Sequence, residues 1–286
     1  MNNRRMPDAL QSLHDLPGVA DAVTQAREAC TALRWHNALR RRIPEVAAES
    51  RVRGARWTAA LDGADYPVDI VRDVMRGALD LPDASAPMEQ TLRGAVQVTA
   101  ETESVAGVVR MSPAQALARL HTAAAAQWLD LDAVARPRRP GESAAELQVL
   151  GTAPDAEEAA ARMRAVVDLI AGSTSAPGLL VGAIAHAEIA TARPFVAGNG
   201  LVARALERSL ITATGLDPTG SVVVEAGHGV RGVADYQGAL AAYSTGTTDG
   251  VRLWLIHCAE AVVAGAGEAQ RICDSVLAGR LGVRAD

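Results

Sequence analysis

The residues best suited to chemistry in this 286-residue chain lie between 186 and 208, in the run HAEIATARPFVAGNGLVARALER. Gly198-Asn199-Gly200 stand immediately before a stretch with helical periodicity. Glycines let a backbone approach an anion closely, and the free N–H groups of a helix start point toward negative charge. Arg193 at the loop entrance and Arg204 one turn into the helix supply two cationic clamps. A glycine-rich helix entrance is also ordinary turn chemistry, so spacing alone leaves both readings open. His186 lies seven positions before Arg193 and Glu188 five before it. On a helix, seven residues put His186 two turns, roughly 10 Å, below the loop. That is too far for proton transfer, which makes His186 a packing histidine. His228 sits in Gly227-His228-Gly229, and nothing in the sequence brings it to the loop.

The segment resembles the Fic signature, His-Pro-Phe-x-(Asp/Glu)-Gly-Asn-Gly-(Arg/Lys)-x-x-Arg, which that family uses to transfer AMP from ATP. Pro194, Phe195, Gly198, Asn199, Gly200 and Arg204 match it. Phe195 is the single phenylalanine of the chain and falls where the signature has one. The three departures fall on positions that carry chemistry. Arg193 stands where the family's general base, a histidine, takes a proton from the target hydroxyl, and a guanidinium cannot accept one. General base catalysis is worth about 100- to 10,000-fold in rate. Ala197 stands where a carboxylate would anchor magnesium, and Leu201 replaces a cationic clamp.

The resemblance therefore implies a degenerate AMP transferase, a pseudoenzyme with no catalytic residue and no metal ligand left in the signature. Its alternative is an active transferase that moves a nucleotidyl or phospho group from another donor to a protein hydroxyl. The implied ligand is none, or ATP or another nucleotide held by Arg193, Gly198, Asn199, Gly200 and Arg204 without protein-anchored magnesium. A protein partner or target is expected.

A second likeness lies far upstream. Many Fic proteins carry an inhibitory helix, (Ser/Thr)-x-x-x-Glu-(Gly/Asn), whose glutamate pairs with the last arginine of the signature. This chain reads Thr58-Ala59-Ala60-Leu61-Asp62-Gly63, with a carboxylate one methylene shorter. The plain alternative is a helix end with Gly63 as its stop. The order of elements favours the inhibitory reading and implies an Asp62–Arg204 ion pair. Tyr236 to Leu240 and Gly250 to Leu255 resemble the family's closing pair of helices, and the Pro/Gly-rich segment 136–154 falls where the family places its target-docking flap.

The elements that must position these residues read as helices. Apolar residues make up 49% of the chain and aromatics 3%, an alanine-rich mixture that suits closely packed helices. Three- and four-residue periodicity predicts helices over 8–14, 19–43, 45–56, 67–78, 88–107, 112–128, 155–171, 177–191, 200–214, 232–244 and 249–280. Leu147 to Leu150 predicts a short β-hairpin flap, and Pro82 to Pro87 a linker. The fold class expected is all-α, a Fic-type helical core over 88–286 preceded by an N-terminal helical region over 1–87. No βαβ alternation supports a doubly wound nucleotide fold.

Composition excludes several functions. The net charge is −5, which removes the electrostatic case for nucleic-acid binding. All 28 basic residues are arginine, as in a bacterial GC-rich genome, so no lysine nucleophile or Walker-type lysine exists. Cys30, Cys258 and Cys273 show neither metal spacing nor a paired framework. With a polar start and no apolar run of membrane-spanning length, the expected location is the cytoplasm, away from any membrane. Alanine- and leucine-bearing helix faces near the N-terminus permit a homodimer.

Overall fold

The computed structural model describes residues 9–82, 85–144 and 146–281. The linker expected at 82–87 lies partly outside them. Twelve α-helices are present among the described residues: α1 (Ala9–His14), α2 (Val19–Arg34), α3 (Ile43–Leu61), α4 (Val68–Met75), α5 (Pro87–Ala106), α6 (Pro113–Ala125), α7 (Ala156–Ala171), α8 (Gly178–Ala192), α9 (Asn199–Ala213), α10 (Val224–Gly229), α11 (Val233–Ser244) and α12 (Thr248–Leu277).

Local chemistry sets most of the boundaries. Proline sits in the first turn of α3, α5 and α6, where its missing N–H has no helical partner to lose. Asp155 caps α7 by accepting the Glu158 N–H at 2.8 Å, and Thr247 caps α12 by accepting the Gly250 N–H at 3.2 Å. The single helix expected over 19–43 is broken after Arg34. His36 is extended, its ring accepts the Ala38 N–H, and a short 3-10 turn follows over Asn37–Arg40 before α3 begins. The helix expected over 45–56 runs on to Leu61, which brings Thr58 and Asp62 together at its end.

The expectation of a β-hairpin flap is corrected. No strand occurs among the described residues, so the flap is not a β-hairpin. Pro137, Pro140 and Pro154 offer no N–H to a ladder, and Arg138 consumes carbonyls instead, donating to Glu142 O at 3.1 Å and Pro154 O at 2.8 Å. What remains is an irregular strap with one 3-10 turn at Gln148–Leu150. The structure also adds α10, which the sequence reading left unassigned.

α8 lies at the centre, with twelve of its fifteen residues buried. Its small side chains let α9 pack closely against it, and α12 is tied to it by the Trp254 indole N–H donating to Ala183 O at 2.8 Å. The apolar cluster runs without a break from Leu10 to Val276, so the N-terminal helices share one core with the rest. Gly94 shows how close the helices come, because a Cβ there would lie 2.3 Å from Ala124 O and 2.5 Å from the Trp128 ring. Gly94→Ala is expected to destabilise the fold by about 1–3 kcal/mol, read as a lower urea midpoint.

Candidate functional site

The loop between α8 and α9 is built by its own side chains. Asn199 accepts the Phe195 N–H at 2.9 Å and donates to Phe195 O at 2.9 Å, closing the loop as a backbone pair would. Phe195 is buried and stacks on His121, with ring centroids 3.9 Å apart and planes within 11°. The His121 Nδ1 accepts the Ala135 N–H at 2.8 Å, which puts its proton on Nε2, and that N–H donates to Ala197 O at 3.1 Å. His121 thus holds the loop from α6. Burial lowers its pKa to about 4, so it is neutral as this pattern requires.

Arg193 takes a left-handed backbone conformation at φ 46°, unusual for a residue with a side chain. Its carbonyl accepts the Arg138 Nε–H at 2.8 Å. Its guanidinium is buried and committed to the strap, donating to Gly151 O at 2.9 Å, Glu146 O at 3.3 Å and Leu147 O at 3.4 Å. The sequence reading gave Arg193 a place on a bound phosphate; in the fold its two terminal nitrogens donate to backbone carbonyls, and its buried Nε meets no hydrogen-bond partner.

The last turn of α3 meets the first turn of α9. Thr58 and Asp62 are four residues apart and so share a face. Arg204 donates to Thr58 Oγ1 at 2.6 Å, Thr58 O at 3.1 Å, Asp62 Oδ2 at 2.7 Å and Tyr236 Oη at 3.2 Å. The ion pair expected from the sequence is therefore formed, and Arg204 is fully buried within it. Burial works against its charge, but Asp62 and Tyr236 outweigh that and hold its pKa above the ordinary guanidinium value. Gly63, at φ 90°, ends the helix behind Asp62, so the capped end and the ion pair are both present. Gly200 has a steric role, because a Cβ there would lie 2.9 Å from both Asp62 carboxylate oxygens.

Sequence reasoning missed Glu146. Its carboxylate sits on the entrance of α9, accepting the Gly198 N–H at 3.0 Å, the Asn199 N–H at 2.6 Å and the Asn199 side-chain amide. Burial and the nearby Asp62 charge raise its pKa, while the three donors oppose that shift. No local signal marks it, since it lies 52 residues before Gly198 in irregular chain. A cleft of about 520 Å³ opens beside it, with Asp62 and Glu146 among its walls together with Trp128, Leu201 and Gln237, and with no arginine in its lining.

Comparison with solved structures settles the architecture. The chain superposes on a Fic family protein from Desulfovibrio desulfuricans G20 with a TM-score of 0.69 at 20% identity, covering 89% of this chain and 75% of that one. The fold is the Fic fold. C. elegans Fic-1 gives the same TM-score at 16% identity, covering 91% of this chain and 73% of that one. A Fic domain containing signaling protein from Bacteroides thetaiotaomicron gives 0.57 at 13% identity, covering 89% and 98%. No family model and no curated protein matches the sequence.

Beneath the Fic loop His186, His228 and His257 form one buried chain of hydrogen bonds with Tyr236 and Glu207. The Tyr236 hydroxyl, which accepts from Arg204, donates to His186 Nε2 at 2.8 Å, and His186 Nδ1–H donates to Glu207 Oε2 at 2.6 Å. From the other side, His257 Nε2 lies 3.1 Å from His228 Nδ1, and His228 Nε2–H donates to the same Glu207 oxygen at 2.8 Å. Burial lowers the pKa of His186 to about 4 and of His257 to about 3, while burial raises and the two histidines lower that of Glu207, the histidines prevailing. His186 is the packing histidine the sequence predicts, and His228 belongs to this core rather than to the cleft. The ligand atoms of His186, Glu207 and His228 lie within 4.8 Å of one another, the spacing of a metal set. Two imidazole N–H groups donating to one carboxylate account for the same atoms without a cation.

Proposed function

We propose that this chain is a Fic-fold pseudoenzyme, a protein that keeps the scaffold of an AMP transferase without the transfer chemistry and acts by binding a protein partner. The observation that carries this reading is Arg193. It occupies the position of the signature's base, cannot accept a proton, and has its guanidinium locked onto three strap carbonyls. Ala197 offers no ligand to magnesium, and the apolar Leu201 lines the cleft where a phosphate clamp would stand. The Asp62–Arg204 pair acts as a latch that withholds the remaining signature cation. The buried, unpaired cysteines support a reducing compartment, and among the described residues no helix is long and apolar enough to cross a membrane.

Calorimetric titration of ATP, with and without magnesium, into wild type and Asp62→Gly tests this reading. The expected result is binding that is weak or absent and indifferent to magnesium in both proteins. Magnesium-dependent binding that strengthens in Asp62→Gly, accompanied by AMP transfer to a protein, would overturn it in favour of an active transferase.

A further inference from the structure

The described residues of the strap, 142–144 and 146–154, are fastened by two arginines. Arg138 holds the carbonyls of Glu142 and Pro154, and Arg193 those of Glu146, Leu147 and Gly151. Arg138 also reaches Arg193 O at 2.8 Å, so the two supports are joined. Leu147, at φ 54°, reverses the chain, and the turn at Gln148–Leu150 rests against α11. Against this backing the Glu146 side chain sits on the entrance of α9.

There the carboxylate takes the donors that any external anion would need. Charged hydrogen bonds of this kind are stronger than neutral ones, and the positive end of a helix adds to them. The departures from the signature suit this occupant. An acidic residue at 197 would add a further carboxylate to the cleft that Glu146 and Asp62 already line, whereas Ala197 adds no charge. Leu201 gives the strap an apolar neighbour in place of a cation that an external phosphate would seek.

We propose that the strap is an autoinhibitory element and that Glu146 is the resident ligand of the α9 entrance. Resting on the Fic-fold reading of the cleft, the inference adds a lock separate from the Asp62–Arg204 latch, because the two carboxylates engage different donors. The entrance receives an external anion only when the strap lifts. Apparent affinity then falls by the fraction of molecules with the strap open.

The test uses the full chain, with inorganic phosphate and acetate as probes. In wild type, the Gly198 and Asn199 amides are protected from hydrogen exchange, and their NMR signals do not move with either anion. In Glu146→Ala they exchange faster, and anion binding tightens by at least about tenfold. Glu146→Gln, which keeps the shape and loses the charge, falls between the two. Equal anion affinity in wild type and Glu146→Ala, or unchanged amide protection, would overturn the proposal. AMP transfer by Glu146→Ala with ATP and magnesium is a separate readout. Its appearance would overturn the pseudoenzyme reading and leave the strap standing.

Discussion

Arg204→Met should lower the stability of the fold by about 3–5 kcal/mol, the largest loss expected from a single substitution at the site. Arg204 is fully buried and its guanidinium serves Thr58, Asp62 and Tyr236 at once. Removing it leaves the half-buried Asp62 carboxylate and the buried Thr58 and Tyr236 hydroxyls without this donor, and Asp62 already has one oxygen that meets no hydrogen-bond partner. Methionine refills much of the volume, so the loss measures the polar contacts more than a cavity. Asp62→Asn should cost less, because its side chain is 16% exposed and the amide oxygen still accepts from Arg204. Urea unfolding of the two variants and their combination gives the coupling. Additive losses would mean that the 2.7 Å pair carries no interaction energy.

His121 should make the protein acid-sensitive. Its folded pKa of about 4 lies below the ordinary value of 6.5, so the folded state resists protonation that the unfolded chain accepts. The stability gained from keeping the ring neutral is complete above 6.5 and is lost as pH falls toward 4. One pKa unit corresponds to about 1.4 kcal/mol, so the full effect reaches about 3 kcal/mol. His186 and His257 are depressed in the same direction and steepen the same window. His121→Gln keeps a donor for Ala197 O and removes the titration. Its stability should fall below wild type at pH 7 and converge with it near pH 4.5. Parallel curves from pH 7 to 4.5 would show that His121 is not the titrating group.

Both predictions concern residues whose roles were unequally visible in the sequence. Arg204 and Asp62 were legible because each sits in a short pattern that resembles a Fic motif. Thr58 and Asp62 are one helical turn apart, and Gly198 and Gly200 bracket a helix start. His121 carries no such pattern. It lies on an unremarkable amphipathic helix, and only the packing of α6 on the signature loop turns it into a support for Ala197.

The sequence by itself determined the helical class, the loop over 193–204, the absence of a base at Arg193 and of a carboxylate at Ala197, and the residues of the ion pair. The helical class follows from composition and from periods of three to four residues, whereas the missing base and carboxylate and the ion-pair residues follow from the resemblance of 193–204 and 58–63 to the Fic patterns. The tertiary structure decided the direction of Arg193, the seat of Glu146 on the α9 entrance, and the buried chain through His186, Glu207 and His228. Each of those joins segments tens of residues apart through irregular backbone or across helix faces, where sequence spacing carries no distance. A guanidinium can point toward a phosphate or toward a carbonyl with equal chemical sense. The strap that supplies those carbonyls is placed by the fold, and so the fold chooses.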